Sequence, residues 1–168
     1  ARRPHAIIRS LDTSRAESLP GVLAVLTAKD VPVNEYGLGV KDQPVLCGPG
    51  SSKPYADRVR FVGDQVALVV AETEEIAAQA RDLIEVVYED LPVLTDPEVA
   101  MQDEVLLHPD RGSNTFTHYR VRKGDVEAAF AQADVIIEGE YHTPVQEHAY
   151  LQPEAGLAYL DEEGRVTV

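Results

Sequence analysis

A mixed α and β domain of short strands and packed helices is predicted, and three adjoining segments predict it. Val66, Ala67, Leu68, Val69, Val70 and Ala71 form a continuous apolar run, the pattern of a strand covered on both faces. Thr73 then offers a side-chain oxygen to unpaired helix-start N–H groups, and Glu74 and Glu75 suit the positive end of the helix dipole. Ile76, Ala80, Leu83 and Ile84 recur at helical spacing, with Glu75, Gln79 and Arg81 on the wet side. Glu85, Val86, Val87, Tyr88 and Glu89 read as a β-branched and aromatic strand, ended by Leu91-Pro92. The helix is too short to stand alone, so its apolar stripe must dock on a sheet. Each Ile or Leu buried there contributes about 1.5–3 kcal/mol.

The other elements follow in order. His5 to Leu11 reads as the first strand, and Asp12 or Thr13 caps a short helix carrying Ala16 and Leu19, ended by Pro20-Gly21. Val22 to Leu26 is the second strand, and Thr27 to Val31 one helical turn stopped by Pro32. From Pro32 to Asp57 the periodicity fails among turn-formers such as Gly37, Gly39, Pro44, Gly48, Pro49 and Gly50. A loop this long is expected to be functional or packed against a partner. Within it, Asp42 to Leu46 is expected as a short edge strand, and Arg58 to Val62 as a further strand turned by Gly63-Asp64. Asp96 to His108 reads as extended, with one helical turn around Glu98 to Met101. The polar stretch Pro109 to Asn114 is the preferred boundary. Asp125 caps a second helix bearing Val126, Ala129 and Phe130. A strand is expected next, with Val135, Ile137 and Tyr141 on one face and Glu138, Glu140 and His142 on the other. Gly156 to Leu160, the turn Asp161 to Gly164 and Arg165 to Val168 form a last hairpin.

Composition narrows the functional classes. An apolar fraction of 44% supports a real core. Twenty-nine acidic against 15 basic residues give a net charge of −14, which disfavours nucleic acid and anionic membrane surfaces as partners. Cys47 is the only cysteine, so an internal disulfide, a cysteine zinc site and an iron–sulfur cluster are excluded within the chain, and a reducing cytoplasmic setting is expected. No apolar stretch approaches the roughly 20 residues a membrane helix needs. A chain beginning at Ala1 and stopping at Val168 inside a strand reads as a piece of something longer.

Candidate chemistry is sparse. Glu138, Glu140 and His142 share a strand face, but ligands two apart point in parallel rather than converging on one ion, so a solvated face is the preferred reading. Glu147 beside His148 suggests an acid–base pair, yet neighbours on a strand point to opposite faces. Cys47 in Cys-Gly-Pro-Gly reads as exposed loop without an activating base. Gly48 to Lys53 lacks the spacing of a phosphate loop. From the residues alone, no catalytic, cofactor-binding or metal-ligating set is identified.

Several runs together resemble the xanthine dehydrogenase and aldehyde oxidase family of molybdenum hydroxylases, at the start of the large molybdenum-binding subunit. The carriers are Arg9-Ser10-Leu11-Asp12 with Ala16, Leu19-Pro20-Gly21-Val22, and Val25-Leu26-Thr27-Ala28-Lys29-Asp30-Val31-Pro32. Val59-Arg60-Phe61-Val62-Gly63-Asp64-Gln65-Val66-Ala67-Leu68-Val69-Val70-Ala71 is the strongest of them. Val87 to Val93, Gly124 to Phe130 and Gln146-Glu147-His148-Ala149-Tyr150-Leu151 complete the order.

The resemblance implies an α+β fold. Residues 1–108 would be an α/β-hammerhead domain of short mixed strands and two packed helices, 109–124 a linker, and 125–168 the truncated beginning of a molybdopterin-binding domain. It implies a complete enzyme that hydroxylates an N-heterocycle or aldehyde with water-derived oxygen at a molybdenum–molybdopterin centre, passing electrons through 2Fe-2S clusters, commonly to FAD. The general-base glutamate and main cofactor loops belong to stretches this sequence does not contain. The expected partners are the remainder of the molybdenum subunit, iron–sulfur and FAD domains or subunits, and a second copy in a homodimer. The fragment itself is expected to be structural and non-catalytic, with Gln146, Glu147 and His148 in a positioning role. One departure is Gln152, where the family often has Glu after the leucine. The competing reading is a free-standing scaffold or protein-binding module with the same fold.

Overall fold

The computed structural model describes residues 1–147 and 156–168. The chain separates into two units, Ala1–Arg120 and Val121–Val168.

In the first unit, strands β1 (Ala6–Asp12), β3 (Arg58–Val59) and β5 (Glu85–Asp90) form an antiparallel sheet in the order β3-β1-β5. Strands β2 (Val22–Thr27) and β4 (Ala67–Ala71) form a separate antiparallel pair. The apolar run and the strand after the helix therefore lie in different sheets. The core is Ala6, Ile8, Cys47 and Val59, flanked by Leu11, Val66, Val86 and Tyr88. A β-bulge between Ile8 and Ser10 adds one residue to β1 opposite Tyr88 and Val87. It re-phases the strand, so Ile8 is buried, Ser10 is exposed and Leu11 turns back inward.

Helix α1 (Ser14–Glu17) starts where Asp12 Oδ1 accepts from Ser14 N at 2.9 Å, while the Thr13 hydroxyl donates instead to Glu17. Helix α2 (Glu74–Leu83) starts as its spacing predicts, with Thr73 Oγ1 accepting from Ile76 N at 3.3 Å. It packs on α1 and on the β2–β4 pair. Ala16 and Ala80 are fully buried and small enough to let the backbones approach. Gly21 has φ +86°, and a Cβ there would sit 2.6 Å from Ile76 Cδ1, so this turn accepts only glycine without strain.

Strand β4 is not covered on both faces. Its antiparallel register puts Leu26 opposite Leu68 and Val25 opposite Val69, and helices cover one side only. Leu68 is 53% exposed and Leu23 67%. The expected strand to Val62 ends at Val59, because Asp64 Oδ2 accepts from both Arg60 N and Phe61 N and turns the backbone at Gly63. The expected Asp42–Leu46 strand reduces to one bridge, Tyr36 with Gln43. Pro44 has no N–H to pair, and the buried Asn34 side chain takes the place of a partner strand. Its Oδ1 accepts from Leu46 N and its Nδ2 donates to Leu46 O, both at 2.9 Å.

The long loop thus packs on the chain's own first sheet. Leu46, Cys47 and Ala56 are buried in it, and Cys47 N donates to Gln65 O. Thr27 and Asp30 cap the short turn Ala28–Asp30 reciprocally, and Asp96 caps helix α3 (Pro97–Ala100) by accepting from Glu98 N and Val99 N.

The second unit holds helix α4 (Val126–Ala131) and the hairpin strands β6 (Tyr159–Leu160) and β7 (Val166–Thr167). Asp125 Oδ1 caps α4 by accepting from Ala128 N at 3.0 Å. The expected strand through Val135, Ile137 and Tyr141 is not formed. Its alternation is intact, but among the described residues no strand pairs with it, and a strand without a partner leaves its backbone groups unpaired.

Candidate functional site

Gln146 and Glu147 lie at the end of an exposed segment of the second unit without helix or strand. His148, Tyr150, Leu151 and Gln152 lie outside the described residues. Glu140 and His142 meet without a strand to align them: His142 Nε2 lies 3.0 Å from Glu140 Oε1, with both side chains more than four-fifths exposed. Among the described residues, no group of three or more His, Cys, Asp or Glu side chains is arranged to hold a metal ion.

Cys47 corrects the expectation of an exposed thiol. It is fully buried, in the core cluster with Ala6, Ile8 and Val59. Burial, assisted by the Asp64 charge, pushes the thiol up to about 12. Such a thiol is neutral and inert near neutrality. We expect a thiol reagent to label native Cys47 far more slowly than the urea-unfolded chain. Because the folded value lies above the unfolded one, near 9.0, the folded state holds its full advantage below pH 9 and loses it progressively as pH rises toward 12. A denaturation series across that window checks the sign, and Cys47→Ala should flatten the slope.

The second unit carries a hollow of about 500 Å³ between α4 and the segment after it. Val126, Ala129, Phe130, Val135 and Ile137 line it, with Lys123 the one cationic side chain of its lining. A phosphate-bearing pterin needs convergent N–H donors or cations for its phosphate and hydrogen-bonding groups along its ring edge. This apolar lining does not fit it.

The geometry defines a protein class, an α+β scaffold of two small sheets, one of them braced by a helix pair, followed by a second, sparsely packed unit. The family model described as "Aldehyde oxidase and xanthine dehydrogenase, a/b hammerhead domain" matches residues 1–92, and one for a "Molybdopterin cofactor-binding domain" matches residues 107–168. The chain belongs to the aldehyde oxidase and xanthine dehydrogenase family. It is 43% identical over 167 residues to a probable xanthine dehydrogenase subunit of Bacillus subtilis (strain 168), covering 98% of this chain and 21% of that protein. It is 38% identical over 167 residues to the nicotinate dehydrogenase large molybdopterin subunit of Eubacterium barkeri, covering 98% and 37%. The aldehyde oxidoreductase structure from Desulfovibrio gigas superposes with a TM-score of 0.67 at 30% identity, over 99% of this chain and 19% of that one. The chain thus spans between about a fifth and two fifths of the length of these relatives.

No feature of composition or spacing places Cys47 or Asn34 in the core. Both are buried by a loop whose path depends on pairings far away in the sequence. The second unit's apolar hollow is foreshadowed only by the stripe Val126, Ala129 and Phe130.

Proposed function

We propose that this chain is the supporting, non-catalytic portion of a molybdenum-dependent oxidoreductase that hydroxylates an N-heterocycle or aldehyde. The observation that carries the reading is the match over 98% of this chain to much longer proteins, of which it covers 18–37%, named for xanthine, nicotinate and aldehyde oxidation. The apolar lining of the hollow beside α4 supports a cofactor held by other polypeptide. In this reading residues 1–108 brace the subunit, 109–124 connect, and 125–168 open the molybdopterin-binding domain. The complete enzyme works with iron–sulfur and FAD domains or subunits, as a homodimer in the cytoplasm. Gln146, Glu147 and His148 position neighbouring groups rather than react.

Metal and pterin analysis tests the division of labour. The isolated 168-residue chain should bind neither molybdenum nor pterin, while the complete enzyme carries both and oxidises its substrate. Molybdopterin retained by the isolated chain would overturn the proposal. In the complete enzyme, His148→Ala should lower turnover at unchanged cofactor content, and unchanged turnover would remove the positioning role.

A further inference from the structure

Within the first unit, the stretch that follows the hammerhead match is tied to earlier residues by arginine side chains and to itself by Asn114. Arg58 Nη1 donates to Leu106 O at 3.0 Å, and Arg60 Nε donates to Leu107 O at 2.8 Å. The remaining nitrogens of Arg60 reach back to Arg58 O and Tyr55 O, so one half-buried guanidinium spans two pieces of backbone. From the other side Asn114 Oδ1 accepts from Leu107 N at 2.9 Å. Leu107 is therefore held by its carbonyl and by its N–H, through two different residues. Asn114 Nδ2 also donates to Ala100 O and Val105 O, and Asp103 Oδ1 accepts from Asn114 N. Arg111 closes the arrangement on the long loop. Its Nη1 lies 3.5 Å from Asp42 Oδ2, its Nη2 donates to Phe116 O, and its guanidinium sits 4.9 Å from the centre of the Phe116 ring. Beyond Phe116 the character changes at once. Residues 117–124 are all exposed and without helix or strand, and contain Arg120, Arg122 and Lys123.

We propose that Arg58, Arg60, Arg111 and Asn114 form a clasp that fixes residues 104–116 within the first unit and ends at Phe116. Most of the clamp is directional hydrogen bonds to main chain, which the forked Arg guanidinium and the Asn amide make several at a time.

Limited trypsin digestion and amide hydrogen exchange on the 168-residue chain test this. Trypsin should cut the wild-type chain after Arg120, Arg122 and Lys123 and spare Arg111. Arg60→Ala should open a cut after Arg111 and speed exchange in residues 104–116 about tenfold, the effect of losing one anchoring hydrogen bond set. Amides of β1 and β5 should keep their wild-type protection. If Arg60→Ala loses that protection too and fails to fold, Asn114→Ala carries the test, because its side-chain partners all lie within residues 100–107. Cleavage of the wild-type chain after Arg111 as fast as after Arg120, or unchanged exchange of 104–116 in the folded variants, would overturn the clasp.

Discussion

Ile8→Asp will not yield a folded chain. Ile8 is 2% exposed, on the central strand of the three-stranded sheet, against Ala6, Cys47 and Val59. The cluster's own members are all apolar or neutral, so a carboxylate there loses its hydration without a designed partner. The expected loss is about 4–5 kcal/mol or more, comparable to the whole stability of a domain this size. Far-ultraviolet circular dichroism and thermal melting read the outcome directly. Ile8→Val is the control, expected to cost only about 0.5–1.5 kcal/mol because it removes a single methyl group. A cooperative wild-type melt for Ile8→Asp would mean that β1 does not form the core.

Asn34→Leu should come next in severity, although the side chain keeps its branched outline. Leu46 is 5% exposed, and the Asn34 amide satisfies both its N–H and its carbonyl. A leucine leaves two buried backbone groups without partners, at about 1–3 kcal/mol each. Ser51 Oγ, which accepts from Asn34 Nδ2 at 3.0 Å, loses a donor as well. Urea denaturation should show a lower midpoint at unchanged slope. A shift within error of zero would show that water or a loop rearrangement satisfies Leu46 instead.

The elements legible in the sequence are those whose signals are local. Thr73 and Asp125 each place a side-chain oxygen three residues before an unpaired helix N–H, and each helix starts there. Partition into sheets was not legible, because β4 and β5 read alike as apolar strands while their partners, β2 and β1, are chosen by distant packing. The same holds for Cys47, whose Cys-Gly-Pro-Gly setting suggests a surface turn until the loop is seen lying on the sheet. Val135 to His142 shows the converse, a strand pattern without a partner strand among the described residues. The functional site was legible only as family resemblance. Gln146 and Glu147 carry no packing signal, and the metal-like triplet of Glu138, Glu140 and His142 yields no metal cluster among the described residues.

The pairing of β1 has a consequence for biosynthesis. Ala6 meets Asp90 and Val59, and Asp12 meets Glu85, so β1 leaves the ribosome well before the neighbours it pairs with. Until residue 90 has emerged, nascent β1 presents Ile7, Ile8 and Leu11 along an unpaired edge, the kind of segment that holdase chaperones shelter. The β2–β4 pair and helix α2 can be completed by residue 83 and form first. Chains arrested between those two points are therefore the ones most prone to aggregate.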